Sequence, residues 1–184
     1  RDRISRIPLE HVANIAVMHR LGAERNWDKT TARFGDANLS EWPFTEIGQA
    51  AWARGRAFAQ SGNGERAHQD YQLALRYVSD PRTRLSVRRS IGQNQEMGLK
   101  DDDAALTTYR EIVKDKQGSG GSDFYSSVQG AARILVRQGK PDEAIQVLDV
   151  TSPGGSWGVT LAEERAKALI AAGRKDEAAV VLQS

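Results

Sequence analysis

Residues 139–148, with the sequence GKPDEAIQVL, carry the pattern from which the fold can be predicted. A glycine is followed by a short acidic turn, then by Ala144, and four positions later by the large apolar residue Leu148. Glycine can end a helix in the left-handed conformation, and acidic residues favour the positive end of the helix that follows. A small and a large residue four positions apart lie on one helix face. The stretch therefore predicts the turn and the second helix of a helical hairpin.

The same pattern occurs four times along the chain. The other copies begin at Gly62, Gly98 and Gly173, and the Gly98 copy has a longer turn through three aspartates at 101–103. The alanines follow one another at intervals of 38, 39 and 34 residues, and they are Ala67, Ala105, Ala144 and Ala178. Self-similarity at such a period indicates a stack of helical hairpins.

An amphipathic stretch before each glycine supplies the first helix of each hairpin. A small residue lies near the centre of each stretch, where it allows the partner helix to pack closely: Gly55, Gly92, Ala132 and Ala166. Apolar runs with a period of two residues, which would indicate strands, do not occur. The sequence therefore predicts an all-α chain.

Together these residues resemble the tetratricopeptide repeat (TPR) family. The resemblance implies a right-handed α-α superhelix of about four to five helix hairpins. We expect repeats at about 48–82, 85–118, 123–153 and 157–184, the last one truncated. Residues 1–46 are predicted to form a divergent N-terminal helical hairpin followed by a connector. Trp42 in this connector, and Trp157 in the last repeat, are interpreted as residues that cover the edge of a core.

The two ends of the sequence suggest a longer protein. The chain begins with Arg1 and stops within the fourth copy of the pattern, so we expect it to continue at one or both ends. The composition resembles that of alanine- and arginine-rich bacterial repeat arrays. This resemblance favours a bacterial source. The expected location is the bacterial cell envelope or periplasm, with the cytoplasm as an alternative.

Composition excludes several classes of protein. The 184 residues include no cysteine, which excludes disulfides and thiolate metal sites. No apolar run approaches the roughly 20 residues that span a bilayer. The 26 basic and 24 acidic side chains leave a net charge of only +2, whereas nucleic-acid binding requires a concentrated basic face.

No arrangement of residues indicates catalysis, a cofactor or a metal. The three histidines, His11, His19 and His68, lack the spacing of a metal-binding motif. The aspartates at 101–103 lack the alternating ligands of a calcium loop, and we interpret Asp103 as a helix cap. The glycines at 118–121 are not followed by the Lys-Ser/Thr of a phosphate-binding loop, and both 116–122 and 152–158 are predicted to be flexible loops. The sequence therefore predicts a protein that is not an enzyme.

The family resemblance also implies a concave groove lined by the first helices. By this resemblance, two columns of residues, one helical turn apart, face the groove. Arg137 lies one turn beyond the later column. The earlier column consists of Trp52, Arg89, Gln129 and Glu163, and the later one of Arg56, Gln93, Arg133 and Lys167. The arginines of such a line could hold carboxylates of an acidic segment. The alternative is a solvated polar face with internal pairs such as Glu163 with Lys167.

These observations lead to one functional hypothesis and several alternatives. The hypothesis is a scaffold or adaptor that binds a protein or peptide in the groove. One alternative is homo-oligomeric assembly through the terminal helices, using Ala179, Val180 and Leu182. Another is a non-catalytic repeat region of a larger enzyme or envelope protein. Nucleic-acid binding would require the line of arginines to dominate the surface field.

Overall fold

Every regular element of the described chain is helical. The structure is a computed structural model that describes residues 9–115, 121–149 and 153–183. Its elements are α1 (Leu9–Ala23), α2 (Trp27–Phe34), a short 3-10 helix (Leu39–Glu41), α3 (Phe44–Gln60), α4 (Gly64–Tyr77), α5 (Pro81–Met97), α6 (Asp102–Lys114), α7 (Ser122–Arg137), α8 (Pro141–Leu148), α9 (Gly155–Ala171) and α10 (Lys175–Gln183). The prediction of an all-α fold is confirmed.

The helices form two compact units, Arg1–Leu99 and Lys100–Ser184, called unit 1 and unit 2 below. In unit 1, α3 packs against its hairpin partner α4 and against the preceding hairpin α1–α2. In unit 2, α7 packs against its partner α8 and against α9, which pairs with α10. Within each unit, helices α1, α3, α7 and α9 thus contact both their own partners and an odd-numbered helix of the neighbouring hairpin. This is the packing expected of stacked hairpin repeats.

Three of the four predicted turns are built around a left-handed glycine. The φ angles of Gly62, Gly139 and Gly173 are +77°, +72° and +79°. After α3, the Asn63 N–H donates to the Phe58 carbonyl at 2.9 Å and the Gly62 N–H to the Ala59 carbonyl at 3.2 Å. This pair of bonds satisfies carbonyls that the helix end would otherwise leave unpaired. The predicted role of these glycines is confirmed.

The turn between α5 and α6 differs from the prediction. Gly98 keeps a right-handed conformation with φ −89°, and Lys100 takes the left-handed position with φ +58°. The turn is longer in this copy, which moves the left-handed position two residues along the chain. The assignment of helix termination to Gly98 in a left-handed conformation was therefore wrong.

Two further local predictions need correction. Asp101, not Asp103, caps α6, because its Oδ1 accepts a hydrogen bond from the Ala104 N–H at 2.9 Å. Asp103 lies within the first turn of α6 and its Oδ1 accepts from Gln138 Nε2 at 2.9 Å. The last part of the predicted loop 152–158 belongs to α9, which begins at Gly155. Trp157 packs there against Tyr125, with ring centroids 5.7 Å apart, and this contact offsets the low helix propensity of the glycines.

Small residues let the helices approach closely, as predicted. A Cβ atom added to Gly55 would lie 2.8 Å from the ring of Tyr71 on α4. Gly130, which lies outside the predicted set of small residues, shows the same relationship with Tyr109 of α6, at 2.5 Å. Trp42 is buried in the core of unit 1, with its ring edge-on to Phe34 at 5.9 Å. Its interpretation as a residue that covers the core is confirmed.

Candidate partner-binding surface

Helix α3 presents Trp52 and Arg56 one turn apart on the same face, because residues four positions apart on a helix are neighbours. Both side chains are half-buried. The indole Nε1 of Trp52 donates a hydrogen bond to Ser90 Oγ on α5 at 3.2 Å. Ser90 Oγ in turn donates to the Ser86 carbonyl at 2.9 Å. The orientation of the Trp52 ring is therefore fixed by the neighbouring first helix.

Arg56 lies over two tryptophan rings. Its Cζ is 5.1 Å from the ring centroid of Trp27, the first residue of α2, and 5.8 Å from that of Trp52. Within the part of the chain that the structure describes, the Arg56 guanidinium makes no hydrogen bond and no ion pair. Ring faces attract a cation but do not replace the oxygen acceptors that its five N–H groups can bond. The N–H groups of Arg56 thus have no acceptor among the described residues.

Arg54, two residues earlier on α3, has the opposite environment. Its Nε and Nη2 atoms donate to the two carboxylate oxygens of Asp70 on α4, each at 2.7 Å. Its Nη1 donates to the carbonyls of Phe34 at 3.1 Å and Ala37 at 2.6 Å. The donors of Arg54 are therefore used inside the protein, which gives it a structural role.

Helix α5 brings a second arginine to this surface. Arg89 Nη1 donates to Gln93 Oε1 at 2.7 Å, so these two predicted groove residues contact each other. Burial raises the pKa of Tyr71 on α4 to about 12, and the positive charges of Arg56 and Arg89 both oppose that increase. Arg56 and Arg89 therefore both act on the field at one tyrosine. We call Trp27, Trp52, Arg56 and Arg89 the Arg56 site.

Two predicted residues of unit 2 meet at a glutamate outside the predicted set. Glu164 Oε1 accepts from Gln129 Nε2 at 3.2 Å and from Lys167 Nζ at 3.1 Å. The suggested internal pair of Lys167 with Glu163 is corrected accordingly, because the partner of Lys167 lies three positions earlier, not four. Glu163 itself is exposed.

The remaining predicted residues of unit 2 lie on α7. Arg137 donates from Nε and Nη2 to the carboxylate of Asp102 on α6, at 3.0 and 2.7 Å. This bidentate pair joins two helices of unit 2 and occupies the guanidinium within the protein. Arg133 is half-buried one turn earlier on the same helix. Positive charge on this face is thus largely balanced by internal carboxylates.

Other candidate sites give no indication of a metal or a membrane segment. Among the described residues, no group of histidine, cysteine, aspartate and glutamate side chains has the arrangement of a metal site. None of the described helices combines the length and the apolarity that crossing a bilayer requires. His68 Nε2 lies 3.5 Å from Gln72 Nε2. The side chains of His11 and His19, and the predicted loop residues 116–120, lie outside the described parts of the chain.

Comparisons with known proteins indicate the fold. No protein-family model and no curated protein sequence matches the chain. Among solved structures, a Podosopora anserina protein assigned to the kinesin light chains, with nearly identical TPR-like repeats, superposes with a TM-score of 0.68 at 15% identity. That match covers 97% of this chain and 94% of the other. A variant of the same protein gives a TM-score of 0.68 at 16% identity, with 93% and 90% of the two chains covered. The MamA protein gives 0.62 at 13% identity, with 92% and 88% covered.

Proposed function

We propose that this chain, which has the fold of tetratricopeptide-type repeat proteins, is a protein-interaction module and that a segment of a protein partner docks at its Arg56 site. The proposal concerns binding and assigns no catalytic step to the chain. The observation that carries it is the placement of Arg56 over two tryptophans with its N–H groups unbonded among the described residues.

The residue types of the site support this proposal. Tryptophan and arginine are the side chains most enriched among residues that dominate binding energy at protein interfaces. Trp52 is held by Ser90 before any partner arrives, so little side-chain freedom remains to be lost on binding. A large aromatic surface held in one orientation, next to a cation with unused donors, suits the recognition of a peptide side chain.

The corresponding face of unit 2 belongs to the proposal with a smaller expected contribution. It contains Gln129, Arg133, Arg137, Glu163 and Lys167. Internal pairs with Glu164 and Asp102 already satisfy several of these side chains. A partner would have to replace those pairs, whereas Arg56 of unit 1 has no such pair to break among the described residues.

A library of short random peptides displayed on phage tests the proposal. Peptides selected on the wild-type chain are then measured by fluorescence anisotropy against Trp52→Ala and Phe44→Ala. Phe44 is an exposed aromatic residue of the same helix, packed edge-on to Tyr77 and outside the Arg56 site, so it is a matched control. We expect Trp52→Ala to weaken binding at least about tenfold and Phe44→Ala to leave it nearly unchanged. Failure to select peptides, or peptides indifferent to Trp52, would contradict the proposal.

A second candidate function, homotypic association through the last hairpin, is supported by its exposed apolar side chains. Val180 and Leu182 of α10 are 67% and 60% exposed. Sedimentation velocity of the Val180→Ser/Leu182→Ser variant tests this candidate, with Val159→Ser on α9 as a control that removes another exposed valine. We expect a concentration-dependent dimer that the double variant abolishes. A monomeric wild-type chain at all concentrations would exclude it.

A further inference from the structure

We propose that the Arg56 site binds a carboxylate side chain, aspartate or glutamate, of the partner segment. This inference rests on the proposed function and adds the chemistry of the residue that the partner presents.

The first reason is the state of the Arg56 guanidinium. It is half-buried beside two indole rings, yet it makes no hydrogen bond or ion pair with any described residue. The rings compensate part of its charge, but they leave the N–H groups in need of acceptors. A carboxylate or a phosphate presents two oxygens that match the guanidinium fork, and such charge-assisted bonds are stronger than neutral ones.

The second reason is that the buried carboxylate of the adjacent helix α4 is not available. Both oxygens of Asp70 accept from Arg54 at 2.7 Å. Arg54 and Arg56 are thus two arginines of one helix, of which the first is neutralised inside the protein and the second has no carboxylate among the described residues. A carboxylate that pairs with Arg56 would therefore come from a ligand.

The third reason is the distribution of charge. Residues 1–99 contain 15 basic and 11 acidic side chains, a net charge of +4, whereas residues 100–184 contain 11 basic and 13 acidic, a net charge of −2. Net charge therefore favours the approach of an acidic segment to unit 1 over unit 2. An excess of four charges without a concentrated basic face is small for a nucleic-acid site. One arginine set among tryptophans fits a single acidic side chain of a protein better.

The peptides selected from the random library provide the test. We expect an acidic residue at one shared position, and we expect its replacement by the matching amide to weaken binding about tenfold or more. Arg56→Gln should cause a similar loss, and the two changes together should cost little more than either one, because they remove the same contact. Arg56→Lys keeps the charge but not the planar fork, so its loss should be intermediate. Synthetic versions with glutamate or phosphoserine at that position compare the two anions, and much tighter binding of the phosphoserine version would assign the site to a phosphorylated residue instead.

A matched control separates a specific contact from general attraction. Arg76→Gln removes one positive charge from an exposed position on α4 of the same unit, and we expect it to leave peptide binding nearly unchanged. Equal losses for Arg76→Gln and Arg56→Gln would overturn the inference in favour of non-specific electrostatics. Melting curves followed by circular dichroism check that both variants remain folded.

The other outcomes are equally decisive. Peptides that depend on Trp52 but lack an acidic residue, or that bind Arg56→Gln as tightly as the wild type, would overturn the inference and leave the proposed function intact. Failure to select any peptide would overturn both. A single-stranded RNA oligonucleotide that bound more tightly than the peptides, and lost its binding in Arg56→Gln, would assign the site to nucleic acid instead.

Discussion

Arg54 and Asp70 form a bidentate ion pair in the interior of unit 1, with side chains only 11% and 6% exposed. The two bonds join α3 to α4, and the remaining donors of Arg54 reach the carbonyls of Phe34 and Ala37. One guanidinium therefore connects the end of α2, the segment that follows it, and the next hairpin. In this position it links the first hairpin to the rest of unit 1.

Breaking this pair is expected to destabilise the chain strongly. Asp70→Asn keeps the size of the side chain but leaves the charge of Arg54 buried without a counter-ion, so we expect a loss of about 3–5 kcal/mol in the free energy of unfolding. Urea denaturation followed by far-ultraviolet circular dichroism measures it. Asp36→Asn is the control, because Asp36 pairs with Arg66 while its side chain is 96% exposed, and its loss should stay below about 1 kcal/mol. Equal losses in the two variants would contradict the structural role of Arg54.

The contact between Gly55 and Tyr71 gives a second prediction. A methyl group at Gly55 would lie 2.8 Å from two carbons of the Tyr71 ring and 3.1 Å from Asp70 Cβ. We expect Gly55→Ala to destabilise by about 1–3 kcal/mol because α3 and α4 must move apart, although alanine favours the helix. Gly22→Ala in α1 is the control, since its methyl group would meet only Ala53 Cβ at 3.9 Å. That substitution should be neutral or stabilising by up to about 1 kcal/mol, and a loss of the same size as at Gly55 would refute the packing argument.

The hairpin turns and the small residues between helices could be predicted from the sequence because they depend on local spacing. The left-handed glycines at 62, 139 and 173 each come after the first helix of a hairpin. Each lies at the same distance from the alanine of the second helix. The same rule failed at Gly98 because extra residues in that turn moved the left-handed position to Lys100. A fixed motif carries no information about how an insertion is accommodated.

The candidate site was predicted only in part. The positions of Trp52 and Arg56 followed from the repeat register, but Ser90 is 38 residues from Trp52 and Glu164 is 35 residues from Gln129. Trp27 lies outside the predicted columns of groove residues, and its contact with Arg56 depends on how α2 packs near α3. Such contacts are set by tertiary packing, for which the sequence has no local signal. The family resemblance pointed to the face and not to the partners of its side chains.

The left-handed Lys100 leads to a third prediction. A residue with a side chain is strained in this conformation, whereas glycine adopts it freely. We therefore expect Lys100→Gly to stabilise the chain by up to about 1 kcal/mol. Gly139→Ala, which introduces a side chain at a left-handed position with φ +72° and open space around it, should destabilise by about 1 kcal/mol. Thermal melts of both variants measure the effects, and shifts of the same sign would contradict the role assigned to backbone conformation.

The raised pKa of Tyr71 predicts how stability depends on alkaline pH. Burial of the phenol raises the pKa from 10.0 to about 12, so between these values the folded state binds a proton that the unfolded state has lost. The stability that this proton contributes is complete below pH 10 and is lost as the pH rises towards 12. Tyr71→Phe cannot ionise, so its free energy of unfolding should fall less steeply across this window, by about 2 kcal/mol in total. Urea denaturation at intervals from about pH 8 to about pH 12 measures the free energy of unfolding of the wild type and of Tyr71→Phe. At the lower end of this range, well below the pKa of a free phenol, the two profiles should be parallel. Profiles that stay parallel up to about pH 12 would show that ionisation of Tyr71 does not oppose folding. In that case the Tyr71 hydroxyl, near Arg56 and Arg89, would be open to water.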